Sequence, residues 1–394
     1  MDTITHAFAG ALLGKGLFTT RRSESPTEHS QQSGVAIFAV TLASAFPDID
    51  VFYNNFAHDP LGTLKYHRYV THSILMLPFW ALLLTPLIRF GARRFGFTPP
   101  SFLWTWLATA VGIGSHIFLD LVTSFGTMIW SPLSRVRPAW DIIFIVDFTM
   151  SAILLVPQFA AWVHRDPARS VVRASRMWAL FSVLALGVLW FTASTGFPFS
   201  VWVVPIASAV FAAIFFLPLI GNRGAKISRS TWARVGLVAA TVYLLLCTYA
   251  HHVALTHVRD FAAAQKIEAQ DIAALPLAPS ILDWEGIILT DRGVYRLNEK
   301  LLSKSSVNLD FFPDSPPDSY LATARTLPGV QTYLWFARFP IFRVHPVEGN
   351  EALDITDIRF KLGNSTAAPT FTYRVLFDPS GHVIHEGNLR TNQR

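Results

Sequence analysis

Residues 101–121 read SFLWTWLATAVGIGSHIFLDL. Only Asp120 carries a full charge in this stretch, and about 20 mostly apolar residues are what a helix needs to cross a hydrocarbon core. The segment therefore predicts a membrane helix. Its far end departs from the apolar pattern with His116 and Asp120. At i and i+4 these share one helix face, a spacing at which two side chains can hold one metal ion. Ionisable groups at membrane depth are costly, and they usually pair, face a cavity or bind something. The expectation is a membrane bundle with a polar site near one end of its helices.

The flanking sequence has the same character up to about residue 257. Of 394 residues, 52% are hydrophobic and only 15% are charged, with a mean hydropathy of +0.38. An ordinary soluble domain carries about 25% charged residues. This composition excludes a disordered chain and leaves too little polar surface for a soluble enzyme. Apolar stretches at 73–90, 177–196, 200–220 and 235–255 are long enough to span, and 142–163 joins them if Asp147 sits near one end. Two shorter stretches, 4–19 and 34–50, read as tilted or half-inserted helices. The first carries Gly10-x-x-x-Gly14, a spacing that lets helices approach closely.

The fold class that follows is mainly α: a polytopic helical membrane bundle of about eight segments, two of them short, with a small C-terminal β-rich extramembrane domain. On this reading residues 1–257 form the membrane domain, 258–280 a helical linker that extends the last span, and 281–394 the β-rich domain. Strand-like runs are Gly286–Leu289, Gln331–Val344, Asp354–Leu362 and Phe371–Phe377. The last is joined to His382–His385 by the turn Asp378-Pro379-Ser380-Gly381. Cys247 is the single cysteine, so no intrachain disulfide and no thiolate metal cluster is expected.

Loop charges set the orientation. Arg21, Arg22, Arg89, Arg93, Arg94, Arg165, Arg169, Arg173, Arg176, Arg223, Lys226, Arg229 and Arg234 fall in one set of alternate loops. The other set holds only Lys65, Arg68, Arg135 and Arg137. By the positive-inside rule the first set faces the cytoplasm, which places the N-terminus and the C-terminal domain outside, in a multi-pass cytoplasmic-membrane protein. Residues 1–255 carry a net charge of +8 and the remainder −2. That excess orients helices; no basic stripe interleaved with aromatics points to nucleic acid.

Asp2, Asp48, Asp50, Asp59, Asp120, Asp141 and Asp147 all map to the outer side, together with His6, His58, His67, His72 and His116. They come from separate segments, yet they gather on the face assigned from Arg and Lys alone. The candidate metal ligands are His6, Asp48, Asp50, His67, His72, His116 and Asp120. Nitrogen and oxygen donors without thiolate suit zinc, with manganese or iron as alternatives, and more than four donors leave room for one or two ions. Arg68 is the candidate phosphate clamp, and Asp141 or Asp147 the candidate general base or bridging ligand. Thr5, Thr71, Ser73, Ser115 and Thr123 are candidates to orient the ligands from behind.

The motifs are Met1-Asp2-x-x-Thr5-His6-x-x-x-Gly10, Phe46-Pro47-Asp48-x-Asp50, His67-Arg68-x-x-Thr71-His72-Ser73 and Ser115-His116-x-x-Leu119-Asp120-x-x-Thr123, followed by Gly126, Pro132 and Asp141-x-x-Phe144-Ile145-x-Asp147. In combination they resemble the YdjM-type family of inner-membrane, metal-dependent hydrolases. The resemblance implies a bacterial or archaeal membrane protein with hydrolase activity, and it leaves the substrate open. The order His, Asp, His, then His-x-x-x-Asp is more loosely similar to zinc-dependent phospholipase C. The N-terminal Trp ligand and the second His-x-x-x-Glu helix of that enzyme have no counterpart here, which points to one or two ions rather than three.

The leading functional expectation is a hydrolase of phosphoesterase or esterase type. A metal-activated water at the outer membrane face would cleave an ester or phosphoester, with a lipid or small phosphoester as substrate and the bilayer as partner. A cation transporter fits less well, because the inner halves of the spans are Leu, Val, Phe and Ala without polar groups through the full depth. A metal-stabilised scaffold presenting the β-rich domain is the remaining alternative.

Overall fold

The computed structural model describes residues 2–19, 26–52, 59, 61–194, 200–278, 280–301, 309–314, 316–361 and 371–389; Arg21, Arg22 and His58 lie outside the described residues. The N-terminal part is helical: α1 (Thr3–Leu17), α2 (Pro26–Ala45), α3 (Gly62–Tyr66), α4 (Leu77–Arg94), α5 (Phe102–Leu121), α6 (Phe148–Val163), α7 (Ser170–Ser194), α8 (Val203–Phe216) and α9 (Arg229–Ala264). Among the described residues five stretches are long and apolar enough to cross a membrane: Thr27–Phe52, Phe102–Leu121, Pro167–Ala193, Val203–Asn222 and Arg229–Ala264. Gly62–His72 and Leu77–Arg94, bent by 75° to each other, make a sixth if they act as one span.

Each expected segment contains a helix, but two lengths differ from expectation. The stretch around 34–50 is longer, because a polar first turn leads into it from Pro26 and a 3-10 turn, Phe46–Ile49, carries it past Pro47. The stretch 142–163 is shorter. Asp147 caps α6, its Oδ1 accepting the Met150 N–H at 2.9 Å, so the helix begins only at Phe148.

Small residues bring the first helices together. A Cβ on Gly10 would collide with Ser44 Oγ of α2, and one on Gly14 would sit 2.9 Å from Ile37 Cα. On the other side of α2, a Cβ on Gly112 of α5 would sit 2.5 Å from Val40 O and 2.7 Å from Ala43 Cβ. The helix α2 is thus gripped between α1 and α5 at backbone contact, the packing that small residues permit where no hydrophobic drive separates helix from lipid. This grip fixes the relative positions of His6, Asp48 and His116.

The C-terminal domain holds two four-stranded antiparallel sheets, each a simple meander. The first is β1 (Asp271–Pro276), β2 (Asp283–Thr290), β3 (Gly293–Lys300) and β4 (Leu309–Pro313); the second is β5 (Pro340–Val347), β6 (Asn350–Asp357), β7 (Thr372–Phe377) and β8 (Val383–Asn388). Helices α10 (Asp318–Arg325) and α11 (Pro328–Phe336) lie between them in sequence. The expected strand Gln331–Val344 is therefore half helix. Pro328 opens α11, and Val330, Tyr333 and Phe336 recur every third residue to bury one helical face against Leu353, Val375 and Phe377. The expected helical linker is also shorter: α9 ends at Ala264 and β1 already starts at Asp271, ten residues before the expected boundary at 281. The turn after β7 closes as expected, with Asp378 Oδ1 accepting the Ser380 and His382 N–H groups.

The two parts share cores. Leu61, Leu64 and Phe125 pack with the α11 and second-sheet residues, while Val258 and Ala262 of α9 pack with Ile288 and Leu297 of the first sheet.

Within the first sheet Glu285 is buried with its Oε1 3.6 Å from Arg296 Nη1. Burial pushes its carboxyl up to about 7 from an ordinary 4.5, against the pull of Arg296. Between those values the folded state binds more protons than the unfolded one, so stability falls as pH rises from about 4.5 to 7 and then levels off, by at most about 3 kcal/mol. Denaturant melts of the detergent-solubilised protein at pH 5 and pH 7.5 should show this slope, and Glu285→Gln should flatten it. A stability that rises through this window would contradict the assignment.

Candidate metal centre

Four donor atoms from three elements converge in the bundle: Asp48 from the 3-10 turn after α2, His72 from the loop before α4, and His116 and Asp120 from α5. His72 Nε2 and His116 Nε2 are 3.0 Å apart, Asp120 Oδ2 is 3.2 Å from the first and 3.4 Å from the second, and Asp48 Oδ1 is 3.6 and 3.4 Å from them. A tetrahedral zinc ion with bonds of about 2.0–2.1 Å spaces its ligand atoms by ~3.3 Å. These five of the six separations, 3.0–3.6 Å, are close to the edges of that tetrahedron. All four residues are buried, so this group can hold a metal ion. Asp48, Asp50 and His67 form a second, three-donor group that shares Asp48.

The supports behind these donors fix which atom faces inward. His116 Nδ1 lies 2.7 Å from the Ser44 carbonyl, which only accepts, so Nδ1 carries the proton and Nε2 offers its lone pair. His72 Nδ1 lies 3.3 Å from Asp50 Oδ2 and 3.0 Å from Thr71 Oγ1, with the same consequence. Asp120 Oδ1 receives Arg68 Nη2 at 2.8 Å and His6 Nε2 at 3.2 Å, which turns Oδ2 toward the two imidazoles. Asp48 Oδ2 accepts the Thr3 hydroxyl at 2.6 Å. Asp50 gathers the loop after α3: its oxygens accept from His67 Nδ1 at 2.9 Å, the Arg68 N–H at 2.9 Å and Thr71 Oγ1 at 3.2 Å. Arg68 itself sits at a positive φ of 62°, an uncommon conformation for a side-chain-bearing residue and one held by these contacts.

Several expected roles fall elsewhere. His6 stacks on His116 with ring centroids 3.6 Å apart and braces Asp120 rather than joining the four-donor group. Arg68 is not a clamp for an incoming anion: both terminal nitrogens are engaged, by the Asp120 side chain and carbonyl and by Thr123 Oγ1 at 3.0 Å. Asp141 Oδ2 is held by Arg338 of the C-terminal domain at 2.6 Å. Asp147 caps α6 and accepts Tyr243 Oη at 2.6 Å and Ser280 Oγ at 2.7 Å. Both carboxylates join the two domains and stand outside the donor groups, which leaves neither placed as a general base. Thr5 belongs to the Asp2 cap of α1, and Ser73 ties the loop at Ser131. Ser115 bonds Ser44 Oγ at 3.1 Å, and Thr123 bonds the Asp120 carbonyl at 2.8 Å, so both brace the residues behind the donors.

A cavity of about 370 Å³ reaches Arg68, the partner of Asp120, and His67, and none of the four donors lines it. His67 and Arg68 form one wall, Phe125, Phe144, Phe360 and Phe371 give it an apolar lining, and Glu285 and Arg359 come from the C-terminal domain. Arg359 is a latch there, donating to Ser124 O at 2.8 Å and to Asp357 Oδ2 at 2.6 Å. Ser44, Thr3 and the cavity residues Phe125, Phe360, Glu285 and Arg359 were not marked by sequence. A Ser or Phe in an apolar run is ordinary, and only the helix crossing makes the Ser44 carbonyl a ligand support.

Residues 1–199 match the YdjM inner membrane protein family. The chain belongs to that family. YfhP, an uncharacterised protein of Bacillus subtilis (strain 168), is 32% identical over 141 residues, 34% of this chain and 38% of that protein, so the chain spans well under half of the relative's length. No solved structure matches. The YdjM match covers α1 to α7 and so contains every donor of both groups, whereas the C-terminal sheets lie beyond it.

Proposed function

We propose that this YdjM-family protein is a membrane-embedded, metal-dependent hydrolase acting on an ester or phosphoester of a lipid at the outer face of the cytoplasmic membrane. The observation that carries the reading is the buried convergence of Asp48, His72, His116 and Asp120, with Arg68, the partner of Asp120, and His67 lining an apolar cavity. A divalent ion held by these residues, zinc by its donor set, would supply Lewis acidity and would lower the pKa of a water admitted beside the four protein ligands. The chain supplies the remainder. Ser44 and Asp50 hold the two imidazoles in the tautomer that binds a cation. Arg68 balances the charge of Asp120. His67, held at Nδ1 by Asp50 and facing the cavity, can take or give a proton at Nε2, the work expected of Asp141 or Asp147. The aromatic walls suit an acyl chain or another apolar group of the substrate.

The test is turnover. Detergent-purified protein loaded with zinc, manganese or iron is assayed against lipid phosphoesters and carboxyl esters. Hydrolysis that a chelator abolishes, and that His67→Ala lowers without loss of metal, supports the reading. Metal-loaded protein that turns over neither class overturns it and favours the scaffold, an alternative consistent with the Arg338–Asp141 and Ser280–Asp147 ties between the domains. Asp50→Asn should weaken metal affinity by about 10–100-fold with all four donors intact, because it loosens His72. Competition with a chromogenic chelator measures this, and an unchanged affinity would remove Asp50 from that role.

A further inference from the structure

Next to the apolar cavity, and sharing Phe125 and Arg359 with it, lies another cavity of about 510 Å³. Arg135, Arg137, Arg338 and Arg359 line it, and no carboxylate does among the described residues. Arg338 pairs with Asp141 and Asp271, and Arg359 with Asp357. Arg135 and Arg137 have no acidic partner within salt-bridge distance among the described residues. Arg137 donates to the Leu64 and Gly126 carbonyls at 2.9 and 3.1 Å, and its buried Nε has no hydrogen-bond partner. Burial, and after it the nearby charges of Arg68 and Arg359, push its guanidinium down to about 9. Arg135 is exposed and rests on the Tyr69 and Trp335 rings at 5.7 and 5.8 Å.

The same loop is apolar where it is bare. Leu133 and Val136 are 84% and 65% exposed, and Trp130 and Trp140 flank them. Tryptophan at such a position marks the membrane–water interface.

We propose that this arginine-lined cavity is a phosphate-binding site, placed to take the phosphodiester of an anionic lipid at the membrane surface. Guanidinium groups pair with phosphate through charge-assisted, often bidentate hydrogen bonds. The site is independent of the hydrolase reading, since it uses none of the metal donors.

The test uses full-length protein in detergent and native mass spectrometry with phosphatidylglycerol and phosphatidylcholine of equal chain length. Inorganic phosphate serves as competitor. Phosphatidylglycerol should be retained about tenfold over phosphatidylcholine, and Arg135→Glu should remove about tenfold of that affinity. Arg165→Glu, on the loop after α6, should change nothing. Arg137→Lys keeps the charge but not the fork, and should weaken binding less than Arg137→Gln. Metal content should stay at wild-type level in every variant, which separates failure here from failure of the metal centre. Displacement by inorganic phosphate supports the proposal with the free anion as sufficient ligand; retention against it supports the proposal with the lipid as required source. Equal retention of the two lipids, or wild-type retention in both Arg135→Glu and Arg137→Gln, overturns it.

Discussion

Protein carrying His116→Ala with Asp120→Asn should be purified without metal and should lose nearly all turnover. The two substitutions remove two of four donors, five of whose six mutual distances fit a tetrahedron. Asn is preferred to Ala at position 120 because Arg68 is buried against that side chain, and Ala would leave its guanidinium without an acceptor there as well as without an anion. Asn keeps the volume and an acceptor for the guanidinium while losing the anion. A bound ion contributes several kcal/mol to transition-state stabilisation, so turnover should drop by about a thousandfold or more. Elemental analysis beside an activity assay reads both effects. Full metal content with full turnover in the double variant would remove these residues from the centre.

The second large effect should come from a residue with no functional group. Gly112→Ala places a methyl 2.5 Å from Val40 O, so α2 and α5 must separate. Overpacking of this kind costs about 1–3 kcal/mol. The same shift pulls the Ser44 carbonyl from His116 Nδ1 and carries Asp48 away from the donor group. Gly114→Ala is the matched control, because its added Cβ would meet only Leu77 Cδ1 at 3.5 Å, an ordinary contact. Gly112→Ala should lower both the melting temperature and the metal affinity, with Gly114→Ala near wild type. Equal behaviour of the two variants would mean that the close crossing does not position the site.

The bundle and the donors were legible for one physical reason. A bilayer penalises polar groups so strongly that His72, His116, Asp48 and Asp120 stand out from their apolar neighbours. The partners of those groups were not legible, because they come from far along the chain. Asp141 looks like a catalytic carboxylate until Arg338, 197 residues later, is seen to hold it. Arg68 looks like an anion clamp until Asp120 is seen against it. Asp147 carries an ordinary capping bond that sequence allowed, but its contacts with Tyr243 and Ser280 depend on tertiary packing.

The C-terminal domain shows the same limit. Asp271–Pro276, DIAALP, reads as a continuation of α9 by local propensity, yet it pairs in register with Trp284–Leu289 and becomes an inner strand neighbour. Gln331–Phe336 reads as strand by its bulky residues, but the three-residue spacing of its buried face makes it a helix.

X-ray absorption at the zinc edge, on protein loaded with one equivalent, tests the central claim most directly. The account predicts four nitrogen and oxygen neighbours at about 2.0–2.1 Å, with outer-shell scattering from two imidazoles. A spectrum of an ion surrounded by water oxygens alone, or one in which His72→Ala and His116→Ala leave the imidazole scattering intact, would contradict it.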